Sequence, residues 1–69
     1  MKNRIEEYRA QRGWTQQELA DHVRVSRQTI ISLERGRYNP SISLAFRLSR
    51  LFQVEIEELF LYSEDEDNE

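Results

Sequence analysis

Two helix starts lie only eleven residues apart in the middle of this chain, at Thr15 and Ser26. Thr15 and Glu18 read Thr-x-x-Glu, the pattern of a capping box, with Trp14 before it and Leu19 inside as a hydrophobic staple. Ser26 is the expected N-cap of the next helix, and Val25 with Ile30 forms a second staple. The first of these helices must therefore end near Val23, and Arg24-Val25 is left as a tight turn. Two caps and two staples fix where each helix begins, so they also fix the angle between the helices. Leu19, Ala20, Val25, Ile30 and Leu33 should form the inner face of the pair, with Ala20 small where the helices approach closely.

The rest of the chain reads as helix around that pair. Gly13, Gly36 and Pro40 punctuate it. Elsewhere the apolar spacing is helical, and no stretch sustains two-residue alternation. A first helix is expected over residues 3–12, with Ile5 and Tyr8 inward and Gly13 supplying the left-handed position after its end. The Ser26 helix should continue through Ile30, Leu33 and Glu34 to Gly36. Residues 37–40 form a loop, because Pro40 disfavours a helical Asn39. Ser41 can cap a fourth helix whose core stripe is Leu44 or Ala45, Leu48, Leu51 and Phe52, and a short fifth helix should cover residues 56–60. The fold class is all-α with five helices, and a short strand at residues 60–63 pairing with residues 2–4 is a further expectation. There is no internal repeat. The division expected is one domain over residues 1–62, with the helix pair at 16–35, and an acidic disordered tail at 63–69.

Composition limits what such a domain does. A chain of 69 residues buries about 60% of its unfolded surface and cannot enclose a deep active site. Without cysteine it has neither disulfides nor thiolate metal sites. It shows no membrane-length apolar run and no apolar signal segment at its start, so a cytoplasmic protein is expected. The net charge of −3 conceals an uneven distribution. Residues 64–69 alone carry five acidic groups, which leaves ten basic residues against eight acids over residues 1–63. Between residues 24 and 37, Arg24, Arg27, Arg35 and Arg37 face Glu34 alone. Local charge of this sign suits a polyanionic partner.

Two short helices joined by so brief a turn are the helix-turn-helix unit, whose second helix enters the DNA major groove. Thr15-Gln16-Gln17-Glu18-Leu19-Ala20, Val25-Ser26-Arg27-Gln28-Thr29-Ile30 and Leu33-Glu34-Arg35-Gly36, followed by Asn39-Pro40-Ser41 and Glu58-Leu59-Phe60, resemble the Cro/cI-type (XRE) family over residues 4–60. The resemblance implies a compact five-helix regulator that binds double-stranded DNA, with helix 3 as the reading helix. It implies base-reading positions at Arg27, Gln28 and Ser32. It further implies phosphate contacts at Gln16, Thr29, Arg35, Arg37, Tyr38 and Asn39, and an ion pair of Arg9 with Glu34. The chemistry of the residues agrees independently: Arg bonds guanine O6 and N7 together, and Gln does the same at adenine N6 and N7. Two positions depart from the family pattern. Arg24 stands where the turn usually has Gly, which costs roughly 1 kcal/mol if the residue is left-handed, unless the turn is remodelled, and an added phosphate contact is an alternative role for it. Glu55 stands where a Ser or Thr usually caps the last helix.

A sequence-specific repressor acting as a homodimer on a palindromic operator is the reading these features favour. Leu59, Phe60, Leu61 and Tyr62 are too many consecutive large residues for one helix face, so Phe60, Leu61 and Tyr62 are expected at a dimer interface. The alternative is a protein-interaction module of the same fold, such as an antitoxin. No cofactor, metal site or small-molecule ligand is evident, and no membrane association is expected. His22 lacks companions for a metal set and is expected to be a solvated helix residue. Glu57 and Glu58 diverge by about 100° on a helix and offer no general acid–base pair. No nucleophile–base constellation is present, so an enzyme is not expected.

Overall fold

In a computed structural model, which describes residues 2–37 and 39–61, four of the helices end in the same way. Helix α1 (Ile5–Gln11), α2 (Gln16–Val23), α3 (Arg27–Glu34) and α4 (Ile42–Phe52) are each followed by one residue in the left-handed region. These are Gly13, Arg24, Gly36 and Gln53, with φ of 71°, 61°, 69° and 58°. Each reversal lets the next N–H reach back to the last turn, as Trp14 does to the Arg9 carbonyl and Val25 to the Ala20 carbonyl. This is the Schellman arrangement, which satisfies carbonyls that a helix end otherwise leaves open. Arg24 therefore adopts the strained conformation, and the turn between α2 and α3 is not remodelled around it.

The starts are as regular. Thr15 Oγ1 accepts from the Glu18 N–H at 3.0 Å while the Glu18 carboxylate accepts from the Thr15 N–H at 2.9 Å, completing the capping box of α2. Ser26 and Ser41 cap α3 and α4 through their hydroxyl oxygens. At α5 (Ile56–Leu59) the Glu58 carboxylate accepts from the Glu55 N–H at 3.2 Å, so the departure from Ser or Thr at the cap is met from inside the helix.

Two expected boundaries shift, both because of one small sheet. Strand β1 (Lys2–Asn3) pairs antiparallel with β2 (Phe60–Leu61), Lys2 opposite Leu61 and Asn3 opposite Phe60. Helix α1 therefore begins at Ile5 rather than at residue 3. The Asn3 side chain sits at its mouth, its Oδ1 accepting from the Ile5 N–H at 3.1 Å. Helix α5 stops at Leu59 because Phe60, at φ −112° and ψ 120°, has already turned into the strand.

The core is a single cluster. Ile5, Leu19, Val23, Ile30, Leu33, Leu48 and Leu59 are fully buried, with Ala20, Leu44, Ala45, Phe52 and Phe60 around them. At about 1.5–3 kcal/mol for each large side chain removed from water, these contacts outweigh any single cap, worth about 1 kcal/mol. In α4 both Leu44 and Ala45 are buried, while Leu51 is only half-buried against the cluster. Trp14 also packs on it, with His22 against its ring at 4.2 Å between centroids, so His22 is exposed yet not wholly given to solvent. No helix of the described residues is long and apolar enough to cross a membrane.

Candidate nucleic-acid interface

Helix α3 divides its residues sharply. Ile30 and Leu33 are buried in the core, whereas Arg27 and Gln28, in the first turn after Ser26, are exposed. Ser32 follows Gln28 by one turn and so shares its face; it is half-buried. Thr29 is half-buried too, and its hydroxyl lies 3.0 Å from that of the Ser26 cap. Arg35, Arg37 and Asn39 are exposed beyond the C-terminal end of the helix. Tyr38 lies outside the described residues.

The helix is held by charge as well as by packing. Arg9 on α1 reaches Glu34 with two guanidinium nitrogens, Nε to Oε2 at 2.7 Å and Nη2 to Oε1 at 3.2 Å. The Glu34 side chain is 4% exposed, and Arg9 donates its Nη1 to the Trp14 carbonyl at 2.9 Å. The hydrogen bond to Glu34 raises the Arg9 pKa, with burial working against it. Gln16, at the start of α2, joins the same carboxylate by donating its Nε2 to Glu34 Oε1 at 3.1 Å. One carboxylate thus ties α1, α2 and α3 together. Sequence reading reached Arg9 and Glu34 but treated Gln16 only as a phosphate contact. At the same C-terminal end of α3, Asn3 Nδ2 donates to the Leu33 carbonyl at 2.6 Å, a tie that no local pattern announces.

The electrostatics of the exposed surface follow from what is left unpaired. Among the described residues the ion pairs are Arg9–Glu34 and the surface pair Arg4–Glu7. Arg24, Arg27, Arg35, Arg37, Arg47 and Arg50 have no carboxylate partner among those residues. Arg27, Arg35 and Arg37 therefore present uncompensated positive charge along α3 and the loop after it. The backbone N–H groups at the N-termini of α2 and α3 add partial positive charge of the same sign.

The residues expected at a dimer surface are distributed differently. Phe60 is 7% exposed and belongs to the core of the chain itself, because the strand carries it inward beside Leu59. Leu61 is 42% exposed, and Tyr62 lies outside the described residues. The larger apolar surface is on α4, where Ile42 is 77% and Phe46 49% exposed. These two border a groove of about 470 Å³ between α4 and α5, whose floor includes Ala45, Ile56 and the edge of Phe60. The sequence does not single it out, because Ile42 and Phe46 are spaced singly along α4 whereas residues 59–62 form a continuous apolar run.

Comparison with known proteins agrees with the helix-turn-helix fold. The chain matches the Helix-turn-helix family over residues 5–59. It is 50% identical over 66 residues to an HTH-type transcriptional regulator of Methanocaldococcus jannaschii, covering 96% of this chain and 100% of that protein. It is 38% identical over 61 residues to the competence pilus inhibition repressor of Acinetobacter baylyi, covering 88% of this chain and 56% of that one. The restriction-modification controller protein C.AhdI from Aeromonas hydrophila superposes with a TM-score of 0.73 at 32% identity, over 83% of this chain and 86% of that one.

Proposed function

Because the chain belongs to the Cro/cI-type (XRE) helix-turn-helix family of transcriptional regulators, we propose that it represses transcription as a homodimer bound to a palindromic operator. One observation carries this reading: Arg27 and Gln28 stand exposed and without partners among the described residues in the first turn of α3, on a helix locked in place through Glu34. That turn is the part of a reading helix that reaches base edges. Arg27 takes a guanine through O6 and N7, Gln28 an adenine through N6 and N7, and Ser32 a base one helical turn further along. Gln16, Thr29, Arg35, Arg37, Tyr38 and Asn39 hold the backbone phosphates. Gln16 keeps one amide hydrogen for this while the other stays on Glu34.

One reading helix contacts too few base pairs for useful specificity, so two copies act together on half-sites about 34–36 Å apart. The second copy docks on the apolar groove bordered by Ile42 and Phe46. The groove faces α5, on the other flank of α4 from Arg47, which bonds α2. Docking there leaves Arg27 and Gln28 free. Occupying an operator that overlaps a promoter blocks polymerase, and the resemblance to a protein named as a repressor favours this sign of regulation.

Selection of bound sequences from a random duplex library tests the reading. Enrichment of a palindrome with two spaced half-sites is expected. No enrichment even at low salt would overturn it in favour of a protein-interaction module.

A further inference from the structure

The positive surface does not stop at the start of α3. Arg24 precedes the Ser26 cap by two residues and is left-handed at φ 61°. From there it lines an open depression with His22, Arg47, Arg50 and Leu51, which joins the end of α2 to the outer face of α4. Arg47 is fixed in place, its Nη1 donating to the Val23 carbonyl at 2.8 Å. The lining contains no acidic side chain, and Arg24 and Arg50 have no partner among the described residues. Three guanidinium groups gathered without a counter-charge among the described residues repel one another, and one of them also occupies a conformation that favours glycine. Strain and repulsion at one place suit a site that an anion completes.

We infer that Arg24, Arg47 and Arg50 form a second contact to the DNA backbone, gripping phosphates that flank the half-site beyond the N-terminal end of α3. The inference rests on α3 being the reading helix. A duplex read at Arg27 and Gln28 continues past the start of that helix, and the Arg24 turn is the next surface it meets. Guanidinium forks match phosphate oxygens. A protein partner is less well served, since its binding calls for a central apolar or aromatic anchor. Here the lining offers Leu51 alone. The contact carries no base information; it adds affinity and steepens the salt dependence.

The test uses the full chain and the operator recovered by selection, prepared as two duplexes. One ends flush with the outermost selected base pair; the other extends about eight base pairs, most of a helical turn, at each end. Arg24→Gly, Arg50→Ala and the double variant are compared with the parent by fluorescence anisotropy across a salt series. Arg24→Gly suits the backbone already present, so folding is retained. Arg47 is left intact because its bond to Val23 belongs to the fold. The parent is expected to bind the extended duplex roughly tenfold more tightly at about 50 mM salt, with a log–log salt slope steeper by about one for each added phosphate contact. The double variant should bind the two duplexes alike. An equal gain on extension in parent and double variant overturns the inference and leaves the surface to a different partner, such as an acidic protein. Flush-duplex binding with no gain on extension in the parent overturns this inference alone. Failure of the flush duplex to bind overturns the reading of α3 and this inference with it.

Discussion

Removing the Glu34 carboxylate is the most informative single perturbation of the fold. Glu34→Ala deletes the acceptor of two Arg9 donors at 2.7 and 3.2 Å and of the Gln16 amide at 3.1 Å. It leaves a guanidinium whose side chain is only 17% exposed. Breaking a buried pair from one side costs about 3–5 kcal/mol. Arg9 keeps its bond to the Trp14 carbonyl and some contact with water, so about 3 kcal/mol is expected. Domains of this size hold roughly 3–10 kcal/mol in all, and each kcal/mol moves the midpoint by about 4–8 °C. The melting temperature should therefore fall by about 12–24 °C. Arg9→Ala should cost somewhat less, about 2–3 kcal/mol, because Gln16 still serves the carboxylate it exposes. Urea denaturation followed by circular dichroism on both single variants and the double variant completes a cycle, with a coupling of about 2 kcal/mol expected. Additive losses, within about 0.5 kcal/mol, would show that the pair does not act as a unit and refute the reasoning. The Arg9 pKa is raised, chiefly by its hydrogen bond to Glu34. Its contribution is therefore complete below the pKa of an unfolded arginine and is lost only as pH rises through the higher folded value. The Arg9 side of the pair should add no pH dependence near neutrality.

Further outcomes follow from the same structure. Arg27→Ala or Gln28→Ala should cost about 1–3 kcal/mol on the selected operator and relax base choice at one or two positions per half-site. Arg37→Ala should weaken all sequences alike and flatten the salt slope by about one per subunit; an unchanged operator-to-random ratio in the first two variants would remove α3 as the reading helix. Arg24→Gly should stabilise the fold by about 0.5–1 kcal/mol, since relief of left-handed strain exceeds the entropy glycine adds, as read from the denaturation midpoint. Phe46→Glu should convert a dimer at micromolar concentration into a folded monomer by sedimentation, and an unchanged sedimentation coefficient would place the interface elsewhere. Deleting residues 64–69 removes five carboxylates. Affinity for random DNA should then rise at low ionic strength and converge with the parent as salt screens the charge.

What was legible in the sequence is what acts over a few residues. A cap needs only a hydroxyl and an N–H three positions on, so Thr15, Ser26 and Ser41 declared their helices without knowledge of the rest. Gly13 and Gly36 marked ends for an equally local reason. Helical periodicity separated Ile30 and Leu33 from Arg27 and Gln28, and with them the buried from the exposed side of α3. Arg24 and Gln53 show the limit of that reasoning. Neither favours a left-handed backbone, yet both adopt it, because the packing of the helices on either side fixes where the chain must reverse. The sharing of Glu34 between Arg9 and Gln16, the bond from Asn3 to Leu33, and the meeting of Arg24 with Arg47 and Arg50 all join residues distant in sequence. The run at 59–62 shows how tertiary structure resolves an excess of apolar residues: pairing with β1 ends the helix at Leu59, buries Phe60 and turns Leu61 outward. Local chemistry determined the order, starts and faces of the helices, because each depends on neighbours along the chain. Only the tertiary structure decided which charges are paired and which apolar surface stays exposed, because those depend on distances across a core that no short stretch of sequence encodes.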